Sequence, residues 1–307
     1  MNAVTSEIVP VAPECRCCGS SAVRFWGTKH GRLKPEPFRY YFCQVCGFRY
    51  VDPITPADIY NDDYYRGDGV DPYVDYVAEL SPGSNRSQEF EDIERILRTS
   101  DLAGEGPLAW LDYGCGTGTL LRYFHGRELH FANRSGVVHG EGCDVGSYAT
   151  RLLSEGFSIH TYDALNRMPG ARYDVISAIE VLEHVAEPAL AMRLLSRLLK
   201  PGGVLILTTG NLDSPVARCR QLAYRYLIPE IHVSLFSPRS LSALYKAHGL
   251  DPMRVRYAGV VKYKVTRSLI NRRLRRIAQN VLHVPGAVAL VDWAYGVSAM
   301  PWARKSA

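Results

Sequence analysis

The chain has 307 residues, 47% hydrophobic and 22% charged, with 36 basic against 31 acidic side chains and a net charge of +5. This is the composition of a soluble globular protein long enough to bury a sizeable core, and so small a basic excess is no argument for nucleic acid. No run of about 18 apolar residues marks a transmembrane helix, and the opening MNAVTSEIVPVAPEC lacks the basic-then-apolar order of a signal peptide, so a cytoplasmic location is expected.

The eight cysteines are Cys15, Cys17, Cys18, Cys43, Cys46, Cys115, Cys143 and Cys219. Five crowd into the first 46 residues, in two C-x-x-C-G units, Cys15–Gly19 and Cys43–Gly47. Two thiols separated by two residues grip one tetrahedral zinc from a tight turn, and the following glycine tolerates the positive φ that the turn needs. Aromatic, strand-like segments stand at both ends of the spacer FWGTKHGRLKPEPFRYYF. Residues 1–50 therefore read as a zinc ribbon, with Cys15, Cys18, Cys43 and Cys46 closing the shell of a structural Zn²⁺. Cys17 is spare, and unliganded thiols are the plainer reading.

Residues 51–85 form a Tyr-, Asp- and Pro-rich connector that includes Tyr60, Tyr64 and Tyr65. Phe90, Ile93, Ile96 and Leu97 then share one helical face. From 107 onward strands and helices alternate: LAWLDYG (108–114), a helix, EGCDVG (141–146), a helix, FSIHTYD (157–163) and YDVISAIEVL (173–182). EPALAMRLLSRLLKPGG carries a helix with Leu190, Leu194, Leu195, Leu198 and Leu199 on its apolar face. VLILTTGN (204–211) is a fifth strand, and Ser237 caps a helix running to Gly249 with Pro238 at its first position. The alternation predicts an α/β fold with a parallel sheet covered on both faces, over 86–307.

LDYGCGTGTLL (111–121) places Gly114, Gly116 and Gly118 beyond the first of these strands, where ligands of such sheets bind. The third glycine of a dinucleotide fingerprint would fall at 119, which is Thr, and Asp112 would repel a pyrophosphate. An acid there suits a cationic ligand instead. LDYGCGTG resembles motif I of the class I S-adenosylmethionine-dependent methyltransferases. Asp144 matches the acid that grips the ribose hydroxyls, and Asp163-Ala164 the pair beside the adenine. IEVLEHV, with Glu180, matches the fourth-strand motif facing the methyl group, and LLKPGGVLIL the turn into strand five. The resemblance implies a Rossmann-like seven-stranded methyltransferase sheet, with a last strand at SAMPWARK (298–305), and S-adenosylmethionine as the methyl donor. One departure is RELHFANRSGVVHG (127–140), a longer connection than the family usually has.

A hydroxyl acceptor needs a base, and the candidates are Glu180, Glu183, His184 and His232. The first three fall within one turn if the strand end coils into helix. The E-x-x-E-H pattern with a distal His is similar to the ubiquinone-biosynthesis O-methyltransferases and the small-RNA terminal 2′-O-methyltransferases. That resemblance implies a divalent cation such as Mg²⁺ at Glu180, Glu183, His184 and His232. The plainer reading makes Glu183 and His184 hydrogen-bonding supports.

Over 262–296 an apolar stripe (Val265, Leu269, Ile270, Leu274, Ile277, Val281) opposes Arg267, Arg272, Arg273, Arg275 and Arg276. This reads as a basic helical insertion: a solvated face, an acidic-substrate site, or a peripheral contact with membrane or RNA. The ribbon, the YYRG segment and the methyltransferase motifs together resemble bacterial enzymes that methylate sugars and specialised metabolites. A small-molecule acceptor, methylated on oxygen, is the first expectation and RNA the second. The sequence carries no signal for oligomeric state.

Overall fold

The computed structural model describes residues 14–33, 36–54, 59–71, 75–80, 86–98, 100–102, 104–253 and 302–305. The basic stretch predicted at 262–296 lies outside them. The described amino-terminal part is a hairpin plus one strand: β1 (Val23–His30), β2 (Pro37–Cys43) and β3 (Arg49–Val51), all antiparallel. Alternation along β2 turns Phe38 and Tyr40 inward while Pro37 and Arg39 face out. The connector forms a short helix, α1 (Asp62–Arg66). Its cap Asn61 accepts from the Tyr64 N–H at 3.1 Å, and Gly67 closes it at φ +77°.

After α2 (Arg86–Leu97) the chain alternates through β4 (Leu108–Tyr113), α3 (Thr119–Phe124), β5 (Glu128–His130), β6 (Ser135–Cys143), α4 (Tyr148–Ser154), β7 (Ser158–His160), α5 (Tyr162–Arg167) and β8 (Tyr173–Ile179). It continues through α6 (Pro188–Leu198), β9 (Leu199–Thr208), α7 (Pro215–Arg220), β10 (Ser234–Leu235), α8 (Pro238–Ala247), β11 (Leu250–Met253) and β12 (Trp302–Lys305). The main sheet has the order β11-β12-β9-β8-β4-β6-β5, with β7 also paired to β6. Strands β7, β6, β4, β8 and β9 are mutually parallel, and β12 lies between β9 and β11, antiparallel to both.

Seven of these strands match the expected sheet; β5 is an eighth. It explains the long 127–140 connection. β5 doubles back on a lengthened β6, pairing Leu129 with Gly136, while β7 pairs with the far end of the same strand. The expected third strand stops at His160, because Thr161 caps α5 by accepting from the Ala164 N–H. The KPGG segment, matched to the turn into strand five, is itself part of β9.

Both faces of the sheet are covered, so its central strands are apolar runs rather than alternating ones. Along β9, Val204 and Ile206 join Phe90, Ile93, Trp110 and Phe124 on one side, while Leu205 and Leu207 join Leu195, Leu198 and Leu244 on the other. Cys15, Cys43, Cys46, Phe48 and Tyr50 belong to that second cluster, so the cysteine-bearing end shares one core with the main sheet. Ser237 and Ser240 form the capping box of α8 with Pro238 at the first helical position. No helix among the described residues is long and apolar enough to cross a membrane. Ile206 is fully buried. Ile206→Ala is expected to cost about 2–5 kcal/mol, measured by denaturant unfolding.

Candidate active site

The three glycines after β4 have φ of +78°, +51° and +78°, a region unfavourable for side chains with a Cβ. A Cβ on Gly114 would lie 2.4 Å from Val181 Cγ2, and one on Gly118 would lie 2.4 Å from Leu152 Cδ2. These two glycines let neighbouring elements close on the turn. A Cβ on Gly116 would stand 3.7 Å from Tyr65, an ordinary van der Waals contact. Gly114 and Gly116 line a cavity of about 310 Å³ at the carboxyl ends of the parallel strands.

Asp144, at the end of β6, organises the cavity wall. One oxygen accepts from the Gly116 N–H at 2.7 Å; the other accepts from the Gly146 N–H at 2.7 Å and the Tyr65 hydroxyl at 3.1 Å. Tyr60, Tyr64, Tyr65 and Tyr76 of the connector form the opposite wall. Tyr65 packs edge-on to Tyr148 of α4 with centroids 4.9 Å apart, so the aromatic segment is anchored on the main sheet's helices. Burial and the Asp144 charge hold the Tyr65 hydroxyl protonated, as a donor.

Several expected ligands sit elsewhere. Asp112 is buried and does not line the cavity; it accepts from Ser177 at 2.8 Å, which itself accepts from the Trp110 indole at 2.8 Å. Asp163 lies exposed in the first turn of α5, and Ala164 serves the Thr161 cap. The wall position belongs to the preceding residue, Tyr162, packed at 5.1 Å against Tyr113. Gly118 is the N-cap of α3 and lies outside the lining. The described cavity is lined at these turns by Gly114, Gly116, Asp144 and Tyr162 rather than by Asp112, Gly118 or Asp163. Val145, exposed beside Asp144, also lines the space and carried no signal of its own.

Glu180 ends β8 with φ +54°, its N–H shared between the Thr208 carbonyl and hydroxyl, and it lines the cavity. The chain then makes the short 3-10 turn Leu182–His184. That turn brings Glu183 and His184 to His232, with one ligand atom from each lying within 4.8 Å of the others. Glu180, expected in this group, stands outside it. The Tyr226 hydroxyl donates to Glu183 Oε1 at 2.8 Å and accepts from the Gly210 N–H at 2.8 Å. Tyr226 had no sequence signal. Glu183 Oε2 and His184 Nδ1 are buried with no hydrogen-bond partner among the described residues. Burial, then the charge of Glu180, pushes Glu183 up to about 8, and burial with His232 alongside holds His184 well below its ordinary value. His232 Nδ1 lies 2.5 Å from the Tyr226 carbonyl. A carbonyl only accepts, so Nδ1 carries a proton, and in the neutral ring Nε2 holds the lone pair.

At the other end, Cys15, Cys18, Cys43 and Cys46 have all four sulfurs within 4.8 Å, with Cys15–Cys46 and Cys18–Cys43 each at 3.7 Å. Zinc–sulfur bonds of about 2.3 Å put tetrahedral sulfurs roughly 3.8 Å apart, so the donor set fits zinc. Cys17 points away, towards the Ser240 carbonyl at 3.7 Å.

Residues 85–255, more than half of the chain, match the family described as a methyltransferase domain. The chain belongs to this methyltransferase family. It is 33% identical over 137 residues to the ubiquinone biosynthesis O-methyltransferase of Pseudomonas aeruginosa (strain UCBPP-PA14), an alignment covering 41% of this chain and 57% of that protein. The chain thus spans little more than half the length of that relative. It is 34% identical over 171 residues to the protein of the same name from Dechloromonas aromatica (strain RCB), covering 52% and 70%. The crystal structure of Burkholderia thailandensis 1,6-didemethyltoxoflavin-N1-methyltransferase aligns with TM-score 0.43 and 14% identity over 85% of this chain and 96% of that one.

S-adenosylmethionine is the cofactor that membership of this family supports. Gly116 presents bare backbone to the cavity, and the Tyr65 hydroxyl on Asp144 demonstrates that a hydroxyl donor reaches that carboxylate, so the residues present fit an adenosyl ligand. In this methyltransferase Gly114→Ala forces a Cβ into Val181 at an unfavourable φ. It is expected to weaken binding of S-adenosylhomocysteine by on the order of tenfold or more, read by calorimetry.

Proposed function

We propose that this methyltransferase transfers the methyl group of S-adenosylmethionine to an oxygen of a small-molecule acceptor. The observation that carries this is one cavity bounded by the glycine turn, Asp144 and His184, with Glu183 and His232 directly behind His184. The relatives named for O-methylation support the oxygen acceptor. RNA is the less favoured acceptor, since those relatives are named for a small-molecule pathway.

S-adenosylmethionine, when bound, supplies a methyl group already activated on sulfur. The chain's task is to hold acceptor and donor in line and to receive a proton. Gly114, Gly116, Asp144 and Val145 would hold the adenosyl part, Glu180 and Tyr65 its remaining polar edge. The aromatic wall of Tyr60, Tyr64, Tyr65 and Tyr76 excludes water while its hydroxyls donate. Asp112 supports the turn through Ser177 rather than touching the ligand.

Glu183, His184 and His232 would hold a divalent cation such as Mg²⁺ or Zn²⁺. The two orphaned buried atoms, Glu183 Oε2 and His184 Nδ1, are the reason: uncompensated polar atoms are costly to bury and a cation satisfies them. A cation there would lower the pKa of an acceptor hydroxyl. The single lone pair of His232 Nε2 can either bind such a cation or take the proton as the base, not both at once. Cys15, Cys18, Cys43 and Cys46 would hold a structural Zn²⁺.

Incubating cell extract with methyl-tritiated S-adenosylmethionine should label the small-molecule fraction. Label in RNA would overturn the acceptor class, and label nowhere the activity. His232→Ala should lower kcat by about a hundredfold or more while leaving S-adenosylhomocysteine affinity intact. Elemental analysis should find about one zinc per chain that survives mild chelation, with turnover lost to chelation and restored by added divalent cation.

A further inference from the structure

Between β9 and α8 the chain runs through residues 209–237 with only a six-residue helix, a 3-10 turn and the two-residue strand β10. Connections this long with so little internal structure do not hold their own shape. Yet this one carries Tyr226 and His232, both of which bear on Glu183. What holds it is the amino-terminal sheet, at both ends of the stretch.

At the near end, the β1–β2 hairpin lies on Leu222, which a Cβ on Gly27 would meet at 2.3 Å. Lys29 Nζ donates to the Tyr224 carbonyl at 3.2 Å. The hairpin tip is fastened by a side chain: Glu230 Oε1 accepts from the Leu33 N–H at 2.9 Å and also from the Arg32 N–H. At the far end, the Val51 N–H donates to the Val233 carbonyl at 3.0 Å, and β3 pairs with β10, Tyr50 beside Ser234 and Arg49 beside Leu235. Ser234 then donates to the Val185 carbonyl at 2.6 Å, next to His184. The two cysteine turns set the ends of this sheet. Cys43 closes β2, and the Cys43 N–H to Phe48 carbonyl bond leads into β3, while Gln44 N–H to Ala22 carbonyl ties the second turn to the root of β1.

We propose that the four-cysteine ribbon is the positioning element of the acceptor side of the site, with Glu230 as its attachment point: it holds residues 222–235 so that Tyr226 and His232 meet Glu183. This rests on reading the four cysteines as a metal centre and His232 as a site residue. Glu230 is a positioning residue. It is 7% exposed, two residues from His232, and its second oxygen has no hydrogen-bond partner among the described residues, so its bonds run to the hairpin tip alone. Metal loading, by fixing the hairpin and β3, then fixes the geometry of a site on another element.

The test uses the full chain labelled with ¹⁵N-histidine, with four readouts: zinc content, S-adenosylhomocysteine calorimetry, the ring signals of His184 and His232, and turnover. Glu230→Ala should keep its zinc and bind S-adenosylhomocysteine within about twofold of wild type. It should shift the His232 ring signals and lower kcat about tenfold at unchanged KM for the methyl donor. Glu230→Gln, which keeps the accepting oxygen, should restore both. Cys18→Ser, which opens the cysteine shell and leaves Glu183, His184 and His232 in place, should move the same signals. If Glu230→Ala does not accumulate, Lys29→Met, which loses the bond to Tyr224 and the positive charge near Glu230, should move them by a smaller amount. Unmoved His232 signals and unchanged kcat in a zinc-loaded Glu230→Ala protein would overturn the inference and leave the methyltransferase reading standing. A wild-type chain without zinc would overturn the ribbon reading and this inference together, and failure to bind S-adenosylhomocysteine would count against the proposed function alone.

Discussion

Trp110, Leu111 and Asp112 of β4 lie beside Gly140–Gly142 of β6 on one side and Val175–Ser177 of β8 on the other. Both pairings are parallel, so the three strands end at the same edge of the sheet, and every residue that follows them is delivered to one place. The glycine turn, Asp144 and Glu180 are neighbours for that reason, although up to 66 residues separate them in the chain. The apolar contacts that hold this register form the two layers of side chains that sandwich β8 and β9, and they reach the cavity wall at Tyr113, Tyr162 and Val181.

Within that frame the acids divide their work by burial. Asp144 stands half-buried at the cavity and accepts from two backbone N–H groups and a tyrosine hydroxyl. Asp112 is buried two residues before the turn and is satisfied by Ser177. It shapes the turn from beneath. Glu183 is the most enclosed of the set, with Tyr226 on one oxygen and the other unsatisfied. A carboxylate in that position is expensive unless something positive shares the pocket.

The amino-terminal sheet takes its fourth strand from the catalytic part of the chain and shares a hydrophobic core with it. Arg16, inside the first cysteine turn, donates to the Val51 carbonyl and reaches Asp52 and Glu187 across the junction. The cysteine-bearing sheet is therefore an integral wall of the molecule, with Tyr40, Tyr41, Phe48 and Tyr50 buried and Phe25 exposed. Phe48 against Phe236, with centroids 5.1 Å apart, joins the two parts where β10 leads into α8.

The order of strands and helices, the parallel sheet, the two cysteine turns and the glycine turn were all legible in the sequence, because each depends on contacts or spacings within about ten residues: apolar periodicity, caps, and C-x-x-C and G-x-G patterns. Strand ends and inward-pointing residues were not. Whether Asp163 or Tyr162 faces the cavity depends on where Thr161 starts α5, and β5 exists only because β6 is long enough to pair on two levels. His232 was recognisable as a candidate, but its partner Tyr226 and its tether Glu230 were invisible, since their meaning lies in contacts with Glu183, Arg32 and Leu33, between 43 and 198 residues away. Local chemistry is written along the chain. The meeting of β3 with β10, which brings a cysteine-held sheet against the loop of His232, is decided only when the two cores close as one.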